Sequence, residues 1–266
     1  MSHKQVLSAL LLICCLAISG AAQITSCGTI SASGRYVLQA DLSCAADGID
    51  IQANNVKLFL NGHTITGPGV SSGATGVYVG DPEYKNVTIL GPGTITNFSQ
   101  GVIFDGTVGG GLIGVNVTGD LFCLFIGNSI TQVPSSGLLI SQNTLASAGG
   151  AIVPALNNSS IVGNNFSNSS GGVTFAGSNN TFTGNLFNNS GSDGFYLSTG
   201  SGNTFRGNQF QSNYGNGIVL NATGNHLVGN VALGNHLFDI NESSTGCVGD
   251  TYLDDVFASA NQTCVK

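Results

Sequence analysis

The sequence predicts an all-β chain whose main part winds into one right-handed parallel β-helix, a solenoid of about nine coils. Two observations carry the prediction. A short motif, small residue then apolar–any–apolar, recurs with a period of about 22 residues. Between its copies runs a second motif that places an Asn in register, and the turns around both leave no room for a helix of about ten residues.

The chain opens with Lys4, an apolar run from Val6 to Ile18, and small residues Ser19-Gly20-Ala21-Ala22 ahead of Gln23. A basic start, a short apolar core and a small-residue cleavage site read as a secretory signal over 1–22. A membrane anchor would need roughly 20 apolar residues. The expected division is then a disulfide-bearing N-terminal cap at 23–47, the β-helix at 48–242, and a disulfide-bearing C-terminal cap at 243–266. The expected location is secreted, periplasmic or extracellular, with no transmembrane segment.

The first motif runs Gly48-Ile-Asp-Ile51, Gly76-Val-Tyr-Val79, Gly101-Val-Ile-Phe104, Cys123-Leu-Phe-Ile126, Gly150-Ala-Ile-Val153, Gly172-Val-Thr-Phe175, Gly194-Phe-Tyr-Leu197, Gly217-Ile-Val-Leu220 and Leu237-Phe-Asp-Ile240. The second runs Ile140-Ser-Gln-Asn-Thr-Leu145, Ile161-Val-Gly-Asn-Asn-Phe166, Phe182-Thr-Gly-Asn-Leu-Phe187, Phe205-Arg-Gly-Asn-Gln-Phe210 and Leu227-Val-Gly-Asn-Val-Ala232. Alternation over three to five positions, bounded by Gly or Asn, means two or three short strands per copy. Such a unit cannot bury an apolar face alone, so copies must stack at the strand spacing of about 4.8 Å. Stacking predicts an internal ladder of Phe166, Phe187 and Phe210. It also predicts an amide ladder of Asn143, Asn164, Asn185, Asn208 and Asn230. A propeller blade would need about 40 residues and four strands.

Charged residues make up 7% of the chain, with 40 Gly and no Trp. Beyond residue 22 there are five Lys and Arg against 13 Asp and Glu, a net charge of −8. Nucleic acid is excluded as a partner, because phosphate binding needs clustered Lys and Arg. Cys27 and Cys44 lie 17 apart near the start, and Cys247 and Cys264 lie 17 apart near the end. In an exported chain these pairs predict one local disulfide at each end. Cys123, in the small-residue slot of the repeat, is expected to be an unpaired buried hydrophobe. The two bridged segments are expected to close the open ends of the stack, with Arg35-Tyr-Val-Leu38 across the first coil. The loop holding Tyr252 and Phe257 would lie across the last.

The stretches Cys27-Gly-Thr-Ile30, Gly34-Arg-Tyr-Val-Leu38, Asp41-Leu-Ser-Cys44, Leu60-Asn-Gly-His-Thr-Ile-Thr-Gly67 and Ala260-Asn-Gln-Thr-Cys264 resemble the opening and close of exported right-handed β-helix proteins of the pectate-lyase-like superfamily. The resemblance implies the fold and a connection with carbohydrate, since these repeats occur in carbohydrate-binding proteins and sugar hydrolases. One branch delivers copper in the periplasm. No copper-ligand cluster is visible, because the only Met is Met1 and the later His are His63, His226 and His236. His63 falls in the family's general opening motif and reads as structural.

Fold does not fix function, so the chemistry must come from residues sharing a column. The outward column of the first motif reads Asp50, Tyr78, Ile103, Phe125, Ile152, Thr174, Tyr196, Val219 and Asp239. Tyr78, Phe125 and Tyr196 are candidates to stack on sugar rings, with cover by the insert near Asn128 to Gly137 as the alternative. Asp81 and Asp105 fall in neighbouring turns, near Glu83 and Lys85, and are the candidate catalytic residues. A lyase would need a base and, for uronate substrates, Ca²⁺ held by acids. A hydrolase would need two carboxyl groups flanking the bond. Lys85 aside, no basic residue is seen on the coils next to Asp105, and the acid signatures of pectin hydrolases are absent. The leading expectation is a non-catalytic β-helix that binds or organises carbohydrate or a cell-surface partner, with no cofactor or metal. The alternative is a polysaccharide-active lyase, hydrolase or epimerase, for which Ca²⁺ would be relevant. A purely structural or adhesive role is the third.

Overall fold

The computed structural model describes residues 20–80, 83–127 and 133–266. The predicted signal over 1–22 falls almost wholly outside them. Among the described residues there is no helix, and none long and apolar enough to cross a membrane.

Each coil contributes a strand to three faces in turn. The first face stacks ten parallel strands from Gly28–Ile30 to Ile240–Glu242. The second stacks strands from Ala22–Ile24 to Thr251–Leu253. The third is regular from Leu42–Ser43 to Thr144–Ala146 and from Gln209–Gln211 to Val256–Phe257. Single bridges Thr144–Asn165, Asn165–Leu186 and Leu186–Gln209 join those two stretches. All of these pairings are parallel, so the molecule is a parallel β-helix of about ten coils.

Two expectations about the ends need correction. Arg35–Leu38 does not cross the first coil; Gly34–Leu38 pairs in parallel with Val56–Phe59 and is the second-face strand of an additional coil. Gly28–Ile30 likewise pairs with Ile49–Ile51, which places Cys27 in the small-residue slot opposite Gly48. At the other end Tyr252 pairs with Leu227 and Phe257 with Ala232, so the predicted cap is largely the tenth coil. At the N-terminal end the disulfide spacing disguises an ordinary repeat whose glycine is a cysteine. What closes the last first-face edge is the segment beyond Phe257. Asp239 and Ile240 donate to the Ser259 carbonyl, and Asn261 exchanges bonds with the Glu242 backbone.

The register of the last copy also differs from expectation. Ile240, Asn241 and Glu242 pair with Ile218, Val219 and Leu220, so Asp239, not Leu237, occupies the glycine slot. A slip of two residues preserves strand alternation, so the apolar pattern alone could not detect it.

Why that slot is small is visible at Gly76. A Cβ there would overlap Ile95 Cγ2 and lie within 2.5 Å of the Gly101 carbonyl oxygen of the next coil. Inward residues around it are fully buried, and the Phe166–Phe187 and Phe187–Phe210 rings stack at 5.1 and 5.0 Å between centroids. Both disulfides form, Cys27–Cys44 and Cys247–Cys264, with Cα atoms 5.8 and 5.9 Å apart. Cys123 is free and buried, and burial pushes its thiol up to about 12.

The turns are held by amides. Asn185 donates its backbone N–H and side-chain amide to Asn208 Oδ1, at 2.9 and 3.0 Å, and donates again to the Ile161 carbonyl at 2.8 Å. The same geometry links Asn143, Asn164, Asn185, Asn208 and Asn230. Two further ladders, unseen in the sequence, run Asn180–Asn203–Asn225 and Asn213–Asn235. Each ladder ends on an aspartate, respectively Asp255, Asp250 and Asp239. Polarity explains the change. Each Asn of the main ladder accepts from the coil before it, donates to the next ladder member and donates back to a carbonyl of the preceding coil, and the last member has no following coil to donate to. A carboxylate, which only accepts, suffices there.

The last coil also buries a carboxyl pair. Glu242 is fully buried and takes the Tyr252 hydroxyl at 2.6 Å and the Ser244 hydroxyl at 2.6 Å. Asp250 accepts the Asn225 N–H on Oδ1 at 2.7 Å, and its Oδ2 is buried with no hydrogen-bond partner among the described residues. Burial, with the neighbouring Glu242 charge, raises Asp250 to about 6, and burial also raises Asp255.

Three outcomes follow from this packing. Phe187→Ala should cost about 3–5 kcal/mol in chemical denaturation, as a buried ring lost from a stack, and Thr183→Ala on the outer side of the preceding strand should cost little. Asn185→Asp should destabilise by roughly 2–4 kcal/mol, because it removes buried donors, whereas Asp255→Asn at the ladder end should be neutral or stabilising. Equal effects would contradict the ladder polarity. Finally, an acid whose folded pKa lies above its ordinary value binds its proton more tightly when folded. The last coil should therefore be most stable near pH 4 and lose that contribution as pH rises through about 6. Hydrogen exchange over 240–257 should show this, and Asp250→Asn, which removes the titrating group, should flatten most of it. A His226→Gln control removes the imidazole bonded to Thr251.

Candidate functional site

Register puts one outward column on the first face: Thr29, Asp50, Tyr78, Ile103, Phe125, Ile152, Thr174, Tyr196, Val219 and Asn241. Strand alternation aims it outward, since Ile49 and Ile51 beside Asp50, and Val77 and Val79 beside Tyr78, are buried. Tyr78, Phe125, Ile152 and Tyr196 are half-buried, Ile103 and Val219 nearly closed over, and Thr174 exposed. Asp239, expected in this column, is replaced by Asn241 through the register change described above.

The three aromatic candidates share the column without forming one pocket. Tyr78 and Phe125 are two coils apart, and Tyr196 is five coils from Tyr78, roughly 24 Å at the spacing of parallel strands. The Tyr196 hydroxyl lies 3.4 Å from the Asn221 side-chain amide, which donates to it. Of the insert expected to cover the column, residues 128–132 lie outside the described residues. Ser135–Ser136 beyond them pairs with Val108 and with Leu156–Asn157 along the second face.

Asp81 also lies outside the described residues. Asp105 is half-buried in the turn after Gln100–Phe104, and its Oδ2 accepts the Tyr78 hydroxyl at 3.4 Å. This joins two residues predicted separately. A groove of about 360 Å³ opens beside them, lined by Asp47, Asp50, Gly73, Thr75, Tyr78 and Ile103. Asp50 Oδ2 accepts from the Gln52 amide at 2.6 Å, while its Oδ1 is buried with no hydrogen-bond partner among the described residues. Asp47 accepts the Thr75 N–H at 2.7 Å. Sequence reasoning placed Asp50 in the column but did not single it out, and it missed Asp47 and Thr75. Only the fold brings that preceding turn beside Tyr78.

His63 and Asp193 have structural partners. His63 Nδ1 lies 3.3 Å from Asp41, whose carboxyl is held below its ordinary range by the Thr64 N–H and then by His63. Asp193 accepts from the Asn216 backbone and side chain at 2.7 and 2.8 Å. Among the described residues no three His, Cys, Asp or Glu side chains are grouped to hold a metal ion.

Residues 94–253, more than half of the sequence, match the family model described as the right-handed β-helix region. The chain belongs to that family. Its handedness and its parallel stack of coils are those of the pectate-lyase-like folds. Among solved structures, it is similar to the mannuronan C-5 epimerase A-module of Azotobacter vinelandii, with a TM-score of 0.59 and 11% identity, covering 91% of this chain and 88% of that one. It is also similar to the Dettilon tailspike protein, with a TM-score of 0.58 and 15% identity, covering 90% of this chain and 60% of that one. At these identities the likeness is one of fold. No curated protein matches the sequence.

Proposed function

We propose that this chain is an exported, non-catalytic β-helix protein that binds polysaccharide lengthwise along the outward column of its first face. The observation that carries the reading is the register, which sets Tyr78, Phe125 and Tyr196 in one line on a rigid parallel stack. Aromatic faces suit the C–H faces of sugar rings, and successive coils are spaced about 4.8 Å apart, comparable to one sugar unit in an extended chain. The surroundings are short polar side chains, which offer hydroxyls and amides without strong charge. Export is supported by the apolar segment at 6–18 and by a disulfide at each end.

A polysaccharide-active enzyme is favoured by one observation, the Tyr78–Asp105 contact beside Asp50. A lyase acting on uronates gains no support, because among the described residues no Lys, Arg or His lines the groove to neutralise a sugar carboxylate. Binding to immobilised glycans should fall when Tyr78, Phe125 or Tyr196 is changed to Ala, each by roughly threefold to tenfold as a stacking contact is lost. Binding that survives all three changes together would remove the reading. Release of shortened, unsaturated or epimerised products on prolonged incubation would establish the enzyme instead.

A further inference from the structure

We infer that the groove over the second to fourth coils is a subsite for a neutral sugar residue of that polysaccharide, and that it selects against uronate polymers. The inference rests on the carbohydrate reading and gives it a ligand class. The groove combines an apolar wall, the Tyr78 ring and Ile103, with a rim of hydrogen-bonding groups from Asp47, Asp50 and Thr75. Tyr78 is steadied by its hydroxyl bond to Asp105, so its ring is presented rather than free to swing.

The carboxylate of Asp50 states what the ligand must bring. Its Oδ2 is occupied by Gln52, and its Oδ1 is buried with no partner among the described residues. A buried acceptor in that condition is costly, and a hydroxyl donor relieves the cost. Most other acids in the chain are already committed. Asp41, Asp47, Asp120, Asp193, Asp239, Glu242, Asp250 and Asp255 all accept backbone N–H groups of turns or of neighbouring strands. Asp120, Asp250 and Asp255 keep a second oxygen buried in the same condition, but Asp50 accepts from a side-chain amide and lines the groove.

Charge then discriminates between saccharides. The charged groups lining the groove are both carboxylates, Asp47 and Asp50, with Asp105 behind Tyr78. Among the described residues no cationic side chain lines it to neutralise a sugar carboxylate. A neutral ring supplies donors to Asp50 and an apolar face to Tyr78, whereas a uronate brings a second negative charge to the same place.

The experiment is a binding panel on the full disulfide-bonded protein. Neutral glucans, mannans and galactans are compared with alginate and polygalacturonate, in EDTA and with added Ca²⁺. We expect a neutral glycan to bind and the uronate polymers to bind at least tenfold more weakly under both conditions. Asp50→Asn, which keeps shape and removes charge, and Tyr78→Ala should each weaken the neutral ligand by about tenfold, with the β-helix still folded by circular dichroism. Uronate binding equal to or tighter than neutral binding, with or without Ca²⁺, overturns the inference. Neutral binding unaffected by both substitutions but lost in Tyr196→Ala overturns the subsite and leaves the proposed function standing. Failure of every glycan to bind overturns both.

Discussion

A parallel β-helix buries its turns as well as its strands, and each buried turn carries backbone groups that must find a partner. In this chain the partner is a column of side-chain amides running from coil to coil. Asparagine suits the task because it both accepts and donates within reach of its own backbone. Asn185 uses one oxygen and its amide group to serve Asn164, Asn208 and Ile161 at once. Remove that bonding and the turns would strand polar groups inside a nearly charge-free protein. Coil spacing, inward aromatic stacking and the straight outward column all depend on the register that these amides fix.

That dependence has a direction. Each amide accepts from the preceding coil, so the ladders run from the N-terminal end to the C-terminal end and finish on acids. The C-terminal coil therefore concentrates buried carboxyl groups, Glu242 and Asp250 among them, beside the Cys247–Cys264 bridge. The glycine slot obeys the same logic. Gly48, Gly76 and Gly101 lie against the backbone of the next coil, whereas Asp239, in the last coil, uses the slot to hold the Ala258 and Ser259 N–H groups.

The sequence was most informative where inward residues repeat. The Phe166–Phe187–Phe210 stack, the main amide ladder and the disulfide partners could be read because packing constrains their identity at every coil. It was least informative at the ends, where Cys27 and Asp239 replace glycine and the copies look like something else. The second and third amide ladders escaped notice because their Asn residues fall in loops already rich in Asn. The groove was hidden for another reason. Asp47 and Thr75 are 28 residues apart, and the hydrogen bond that joins them crosses between coils, which only the pairing register reveals.

Structural and functional acids can be separated by what they bond. An aspartate that accepts a turn N–H is stabilised by that bond and answers a need of the fold, as Asp193 does for Asn216. Such a residue is a poor guide to function however perturbed its surroundings. Asp120 is the clearest case. Burial raises it to about 7, but it is shut inside the coil and serves the Phe98 N–H. Net negative charge is then mostly a by-product of turn closure, and the proposed subsite draws on an acid left facing outward beside an aromatic ring. Asp50 fits that description: its strand points it outward, it lines the groove with Tyr78, and it accepts from the Gln52 side chain instead of a turn N–H.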